Sequence, residues 1–214
     1  MNGHQVHYWL AMVRSTLGAS GNVQDCALTA DPNHLQEMSA WLDAHRKHKG
    51  SRLIAIAPSA SFGPAKEWPA PHFVQLINEL AKRHDAECVL VGAPVERPRC
   101  ESIASASPHG AMVAAGETSV GQLVALLGLA DGFVGNDSGA MHVAAALGRP
   151  TVGIFGSTNP ARTGPLGPGT RVLWQRLACS PCLARTCRFG HYNCLNEITP
   201  ARALDALHAL GAIQ

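Results

Sequence analysis

Between residues 53 and 155, short apolar runs alternate with longer stretches whose apolar residues recur at helical spacing. The apolar runs predict strands at residues 53–57, 88–91, 112–115, 132–134 and 151–155. The intervening stretches predict helices at residues 71–84, 94–106, 120–129 and 139–147. Strands that alternate with helices in this way form β-α-β units, which build a parallel sheet with helices on both faces. The sequence therefore predicts an α/β fold whose ligands bind at the carboxyl ends of the strands.

The composition limits the classes of protein that this fold can serve. The chain has 214 residues and a formal net charge of +2, which is too mild a balance to indicate a nucleic-acid partner. No apolar stretch approaches the ~18 residues of a membrane-spanning helix. The first residues lack a basic start followed by an apolar run, so they do not form a secretory signal. We therefore expect a cytoplasmic globular protein, with one further helix near the start of the chain, within residues 1–20.

The loop at residues 58–69 joins a predicted strand to a predicted helix. Its small residues let a ligand approach the backbone, and Ser59 and Ser61 add hydroxyl groups. Lys66 supplies a point charge suited to phosphate, next to the free amides of a helix start. The alternative is a surface loop in which Trp68 packs and Lys66 is solvated.

The loop at residues 135–142 also lies between a strand and a helix. Asp137 or Ser138 could act only as a helix cap, but that role leaves Gly139 and His142 unexplained. Small residues at a helix start expose amides that can receive a diphosphate. A carboxylate here would orient sugar hydroxyls or loop amides rather than hold a phosphate.

A third loop, at residues 155–165, follows the last predicted strand. Its Gly and Pro residues mark tight turns, and Arg162 could reach an anion, although a lone loop arginine is more often solvated. None of the three loops matches a Walker, dinucleotide or nucleophile-elbow motif.

Taken in order, the loop sequences resemble glycosyltransferase family 9 and, within it, the lipopolysaccharide heptosyltransferases. The resemblance is carried by FGPAKEWP at 62–69, NDSGAMHVAAAL at 136–147 and FGST at 155–158. It implies a Rossmann-like parallel sheet that forms the C-terminal domain of a GT-B glycosyltransferase. Residues 50–214 would be this nucleotide-sugar-binding domain, including a Cys-rich loop at 179–194. Residues 1–49 would be a linker and a remnant of the N-terminal domain.

The resemblance also implies a ligand and the residues that hold it. The sugar donor would be ADP-heptose, with Lys66 as the stabiliser of the leaving diphosphate. Thr118 would lie near the adenine, Glu96 near the ribose, and Asp137 and His142 near the sugar and phosphate. The full set of implied donor-binding residues is Ser59, Ser61, Lys66, Glu96, Thr118, Asp137, Ser138, Gly139 and His142.

The reaction implied is an inverting, metal-independent transfer of heptose to the lipopolysaccharide inner core, without a cofactor. Its catalytic base would belong to the missing part of the N-terminal domain, so no residue of this chain takes that role. Two alternatives remain: a non-catalytic nucleotide-sugar-binding remnant, or a family member with another nucleotide sugar. The lipid-linked acceptor would bring the protein to the inner face of the inner membrane as a peripheral protein. The face left uncovered by the missing domain predicts poor solubility or self-association.

Seven cysteines form the last notable feature. Cys26, Cys88 and Cys100 are scattered, whereas the other four form a C-x2-C-x4-C-x6-C cluster: Cys179, Cys182, Cys187 and Cys194. A structural zinc or iron, packed reduced thiols and disulfides are the open alternatives, with His191 as a competing ligand. A catalytic metal is not expected, because no carboxylate cluster accompanies the thiols.

Overall fold

The computed structural model describes residues 3–18, 20–23 and 27–214. Within these ranges six strands form one sheet in the order β3-β2-β1-β4-β5-β6, and every neighbouring pair is parallel. The strands are β1 (Arg52–Ala57), β2 (Ala86–Leu90), β3 (Met112–Val113), β4 (Gly132–Asn136), β5 (Thr151–Phe155) and β6 (Thr170–Trp174). This order is that of a Rossmann-like sheet, which confirms the predicted fold class.

Helices connect the strands and flank the sheet. They are α1 (Gln5–Leu17), α2 (Pro32–His45), α3 (Ala70–His84), α4 (Arg97–Ala106), α5 (Val120–Leu129), α6 (Gly139–Ala146), α7 (Pro160–Thr163), α8 (Asn193–Asn196) and α9 (Pro200–Ala209). Two single 3-10 turns, Pro64–Lys66 and Pro94–Glu96, precede α3 and α4. The four helices predicted between the strands and the helix predicted within residues 1–20 are present, whereas α2, α7, α8, α9 and β6 were not predicted.

Two apolar cores cover the two faces of the sheet, because successive side chains of a strand point to opposite faces. Ile54 and Ile56 of β1 pack in a core with residues of α3, α4 and α9. Leu53 and Ala55 pack on the other face, with residues of α2, α5 and α6. Both faces are therefore buried, as parallel sheets require.

The first two helices differ in how they join the body of the protein. His4 caps the start of helix α1, because its side chain accepts a hydrogen bond from the Val6 amide. Gly18 caps the end, with a φ of 62° that favours glycine. None of its residues is buried, and Trp9 is 54% exposed. Helix α2, in contrast, buries Met38 and Leu42 in the second core. The division at residue 49 stays a prediction.

The strand order reverses between the two central strands: from β1 the chain builds the sheet outwards on one side, and from β4 it builds the sheet outwards on the other side. The helix after β1, α3, packs on one face of the sheet, whereas α6, which follows β4, packs on the other. The loops after these strands separate and leave a crevice at their carboxyl ends. The described residues include no helix long and apolar enough to cross a membrane.

Candidate functional site

A buried asparagine fixes the loop after β1 against the end of β4. The side chain of Asn136 donates to the Pro58 carbonyl (2.8 Å) and accepts from the Trp68 amide (2.9 Å). Trp68 is itself fully buried, and its indole N–H donates to the Ile198 carbonyl at 2.7 Å. The predicted packing of Trp68 is confirmed, and both ends of the 58–69 loop are held in place.

The 3-10 turn in this loop directs Lys66 towards β4. The Nζ atom of Lys66 lies 2.6 Å from Oδ2 of Asp137, and the two side chains are only 14% and 5% exposed. The same oxygen accepts hydrogen bonds from the hydroxyls of Thr158 (2.7 Å) and Thr163 (3.4 Å). Lys66 is therefore held by a carboxylate, and the alternative of a solvated Lys66 is wrong.

The start of α6 leaves its first amides without a side-chain cap. Ser138 occupies the N-cap position but makes no capping hydrogen bond. The hydrogen bonds found for Asp137 go to Lys66 and two threonines rather than to the helix amides. The cap interpretation of these two residues is therefore not supported. Gly139 is exposed, and no atom lies within 4 Å of the position that a Cβ atom would occupy there. A ligand can therefore reach the first backbone amides of α6.

One cavity of about 460 Å³ collects most of the residues predicted to bind the sugar donor. This volume lies in the usual range for a small-molecule site. We call it the switch-point cavity. Its lining includes Ser59, Ser61, Phe62, Lys66, Glu96, Thr118, Asp137, Ser138 and Gly139.

Two serine hydroxyls of the switch-point cavity are available for a ligand. The Oγ atoms of Ser59 and Ser138 are buried and have no hydrogen-bond partner among the described residues. Because buried polar groups normally have partners, these two hydroxyls are groups that a polar ligand could satisfy. They stand on either side of the crevice, one after β1 and the other after β4.

Glu96 and Thr118 form the far wall of the cavity. One carboxylate oxygen of Glu96 accepts from the Ala93 amide at 2.7 Å, so this side chain is fixed within its own turn. Thr118 directly precedes Ser119, whose hydroxyl caps α5 by accepting from the Gln122 amide. Both residues therefore face the cavity from rigid helix starts.

His142 is the one predicted donor-binding residue that does not line this cavity. It lies one turn into α6 and faces a neighbouring cavity with His4, Trp9 and Arg162. Loss of hydrating water lowers the pKa of His142, while the nearby Asp137 carboxylate acts in the opposite direction. His142 therefore lies close to, but outside, the group of residues around Lys66.

The sequence did not single out several residues that support the site. The guanidinium of Arg99 donates to the carbonyls of Pro58 and Trp68, at 3.0 and 2.9 Å. Phe62 lies under the Lys66 ammonium, with 5.1 Å between Nζ and the ring centroid. No local pattern marks Arg99, because its partners are distant in sequence, whereas Phe62 belongs to the motif at 62–69 but was given no role there.

The Cys-rich loop packs directly behind the loop that carries Lys66. The Ala65 amide donates to the Arg185 carbonyl at 3.0 Å, and the Leu183 amide donates to the Ser157 carbonyl at 2.8 Å. A Cβ atom at Gly63, whose φ is 138°, would lie only 2.8 Å from the same Arg185 carbonyl oxygen. Only glycine fits this turn without strain.

The four clustered cysteines, Cys179, Cys182, Cys187 and Cys194, are free thiols around one small cavity. Across the described ranges, however, no three His, Cys, Asp or Glu side chains are grouped so that they could hold a metal ion. Hydrogen bonds from backbone amides, that of Tyr192 first, lower the pKa of Cys187. Burial raises the pKa of Cys194 to about 11, with a further contribution from the other three thiols. Cys26 lies outside the described residues.

The strand order and the crevice at the switch point define a Rossmann-like domain with a small-molecule site. The family model described as "Glycosyltransferase family 9 (heptosyltransferase)" matches residues 2–193. The chain therefore belongs to glycosyltransferase family 9.

Individual relatives agree with this assignment. Lipopolysaccharide heptosyltransferase 2 of Salmonella typhimurium is 37% identical over 162 residues, which are 74% of this chain and 46% of that protein. The structure of the Escherichia coli ADP-heptose lipopolysaccharide heptosyltransferase II superposes with a TM-score of 0.73 at 31% identity, covering 86% of this chain and 53% of that one. The dodecameric iron-containing heptosyltransferase TibC, solved with ADP-D-β-D-heptose, shares the fold: its TM-score is 0.60 at 19% identity, over 78% and 47% of the two chains. The chain spans about half the length of the first two relatives.

Proposed function

We propose that the chain binds ADP-heptose in the switch-point cavity and supplies the sugar-donor half of a heptosyltransferase that acts on the lipopolysaccharide inner core. One observation carries the proposal. Lys66, the uncapped start of α6, and Ser59 and Ser138, whose buried hydroxyls have no partner among the described residues, all line the same cavity. A diphosphate is the ligand group that satisfies a cation, helix-start amides and hydroxyls together.

In the proposed reaction an acceptor hydroxyl attacks the anomeric carbon in line, and ADP leaves with inversion. Negative charge then grows on the leaving diphosphate, where Lys66 and the α6 amides stabilise it. Because this positive charge comes from the protein, we propose that transfer needs no metal. The base that takes the acceptor proton lies outside this chain, in the N-terminal half of the complete enzyme.

The remaining parts of the donor have proposed positions around the same cavity. Thr118 would contact the adenine and Glu96 the ribose, while Ser61 would join Lys66 at the diphosphate. Asp137 and His142 would lie on the sugar side. Since Asp137 already holds Lys66, its main role would be to orient this ammonium.

Calorimetric titration with ADP-heptose, ADP and UDP tests the proposal. We expect ADP-heptose and ADP to bind and UDP to bind much more weakly. Lys66→Ala should weaken ADP binding by about 1.5–3 kcal/mol, the range for a hydrogen bond to a charged group. Lys82→Ala, at an exposed lysine on α3, is the matched control and should leave the affinity unchanged. A wild-type chain that binds none of the three nucleotides contradicts the proposal.

Two alternatives give different results in the same titration. A non-catalytic remnant would bind ADP-heptose but would not transfer heptose when a separately produced N-terminal half is added. A family member with another sugar donor would prefer a different nucleotide sugar, such as an N-acetylhexosamine nucleotide. The Escherichia coli ADP-heptose lipopolysaccharide heptosyltransferase II and TibC, solved with ADP-D-β-D-heptose, favour ADP-heptose.

For the Cys-rich loop we propose a structural zinc or iron, with packed thiols or disulfides as alternatives. Four thiols around one cavity provide the donor set, although they would have to draw closer to bind a metal. Metal analysis of protein purified without oxygen, together with thiol titration, distinguishes the three. One metal per chain supports the proposal, while reactive thiols without metal support simple packing.

We also propose peripheral contact with the inner face of the inner membrane, because the acceptor is lipid-linked. Residues 1–49 would contain the end of the N-terminal domain and the linker. The exposed side of α1, which includes Tyr8 and Trp9, would then face that domain. Light scattering of the isolated chain tests whether this side of α1 is uncovered, since an uncovered apolar face favours self-association.

A further inference from the structure

Two residues beside the clustered cysteines are direct chain neighbours of residues in the proposed donor site. Ala65 and Ser157 both line the small cavity around the four thiols. Ala65 precedes Lys66, and Ser157 precedes Thr158, whose hydroxyl donates to the Asp137 carboxylate. The cavity of the Cys-rich loop is therefore separated by a single residue from two of the groups that contact Asp137.

Backbone hydrogen bonds join three loops at these two residues. The Ser157 amide donates to the Ala65 carbonyl at 3.1 Å, which links the loop after β5 to the loop after β1. The Cys-rich loop contributes a bond to each of them, through the Leu183 amide and the Arg185 carbonyl. We call this arrangement of Ala65, Gly156, Ser157, Leu183 and Arg185 the three-loop junction. Both the amide and the carbonyl of Ala65 are bonded within it, so the backbone that leads into the next residue is fixed.

The three-loop junction is closely packed. A Cβ atom at Gly156 would lie only 2.6 Å from the Ala65 carbonyl oxygen, so the two loops approach each other as closely as a glycine allows. The centroid of the Phe62 ring lies 5.1 Å from Nζ of Lys66 and 5.2 Å from Cζ of Arg185. Because packed atoms transmit a displacement, a movement of the Cys-rich loop would reach the Lys66 ammonium.

The hydroxyl of Ser180 is the side-chain group that joins the Cys-rich loop to the three-loop junction. It donates to the Gly156 carbonyl at 2.7 Å and accepts from the Trp174 indole N–H at 3.1 Å. Among the described residues, no other side chain of the Cys-rich loop forms a hydrogen bond with the loop after β5. Ser180 is half-buried and does not line the switch-point cavity. Any effect of Ser180 on a ligand in that cavity must therefore pass through the junction.

We propose that Ser180 is a positioning residue for the sugar-donor site, because it holds the Cys-rich loop against the junction that places the Lys66 ammonium. This inference rests on the proposed function, since it requires a diphosphate at Lys66. The Ser180 hydroxyl fixes Gly156, the chain from Gly156 to Thr158 supports Asp137, and Asp137 holds Lys66. A ligand binds more tightly to groups that are already in place, because binding does not have to order them.

Calorimetric titration with ADP tests the proposal in a double-mutant cycle of Ser180→Ala and Lys66→Ala. In the otherwise unchanged protein, Ser180→Ala should weaken ADP binding about three- to tenfold, as expected when one hydrogen bond is lost. In the Lys66→Ala background the same change should have a much smaller effect, because the ammonium that Ser180 positions is gone. Ser180→Thr keeps the hydroxyl and should bind ADP like the wild type.

Ser107→Ala is the matched control, because Ser107 is buried and its hydroxyl donates to Asn78, away from the switch-point cavity. It should lower Tm in differential scanning calorimetry but leave the ADP affinity unchanged. The inference is overturned if Ser180→Ala binds ADP like the wild type, or if it causes the same loss in both backgrounds. Equal losses in Ser180→Ala and Ser180→Thr, or in Ser180→Ala and Ser107→Ala, would overturn it as well. A wild-type chain that does not bind ADP would instead contradict the donor site itself.

Discussion

Replacement of Asn136 by Ala should destabilise the protein and loosen the cavity, because this buried side chain joins two loops. Asn136 is fully buried and makes two hydrogen bonds, with the Pro58 carbonyl and the Trp68 amide. The consequences at the two partners differ. The Pro58 carbonyl keeps a second donor, the Arg99 guanidinium at 3.0 Å, whereas the Trp68 amide loses its side-chain partner in a buried position.

The size of the effect follows from this difference. Loss of the bond to Pro58 costs about 0.5–1.5 kcal/mol, and a buried amide left without a partner costs about 1–3 kcal/mol. The free energy of unfolding should therefore fall by about 2–4 kcal/mol. For a chain of this length each kcal/mol lowers Tm by about 2–4 °C, so we expect a decrease of about 4–16 °C.

Differential scanning calorimetry and a titration with ADP measure the two consequences. Asn78→Ala is the matched control, because Asn78 is half-buried and accepts one hydrogen bond, from Ser107, away from the cavity. Its Tm should fall much less, and its ADP affinity should not change. If Asn136→Ala lowers Tm no more than Asn78→Ala does, the role assigned to Asn136 is incorrect.

Three further predictions concern individual side chains. Thr158→Val removes a hydroxyl that donates to Asp137 and should weaken ADP binding by about 1 kcal/mol in the same titration. Burial raises the pKa of Glu87, but hydrogen bonds from a backbone amide, an arginine and a serine outweigh it and lower the net value below 4.5. The Glu87 carboxylate therefore stabilises the fold above pH 4.5, and this stabilisation is lost as the pH falls through the lower folded-state pKa. Glu87→Gln should reduce the loss of unfolding free energy on the acid side, when this free energy is measured by urea unfolding as a function of pH. In protein freed of metal by a chelator, iodoacetamide followed by mass spectrometry should label Cys187, whose pKa is lowered, well before buried Cys88, whose pKa is raised to about 12.

The alternation of apolar runs and helical spacing was sufficient to predict five strands and the helices between them. Strands β1, β2, β4 and β5 are almost fully buried and therefore carry continuous apolar runs, whereas the predicted edge strand β3 has only two residues, both partly buried. Strand β6 lies at the sheet edge, and its Arg171 and other residues are only partly covered, so it has no continuous apolar run. Helix α2 buries only Met38 and Leu42, which leaves a mostly polar sequence without a clear period. Local pattern is weak where tertiary contacts are few.

The loops of the site were predictable because each follows a strand, but the pairing inside the site was not. Lys66 and Asp137 are 71 positions apart, and they meet because β1 and β4 are neighbours in the sheet. Strand order is a property of the whole fold, and no local signal in either loop encodes it. The position of His142 shows the same limit, since one helical turn takes it from the switch-point cavity to the next one.

The ion pair of Lys66 and Asp137 accounts for the presence of a nearly buried ammonium in the proposed diphosphate site. An unpaired ammonium at 14% exposure would be costly, so the carboxylate stabilises Lys66 before the nucleotide arrives. In the proposed complex the diphosphate competes for this ammonium and brings further negative charge near Asp137. The hydroxyls of Thr158 and Thr163 then matter, because they donate to the same carboxylate oxygen and keep it solvated by the protein when Lys66 turns to the phosphate. In the proposed reaction Asp137 would thus hold the lysine before the nucleotide binds and yield it to the leaving diphosphate, where the negative charge grows.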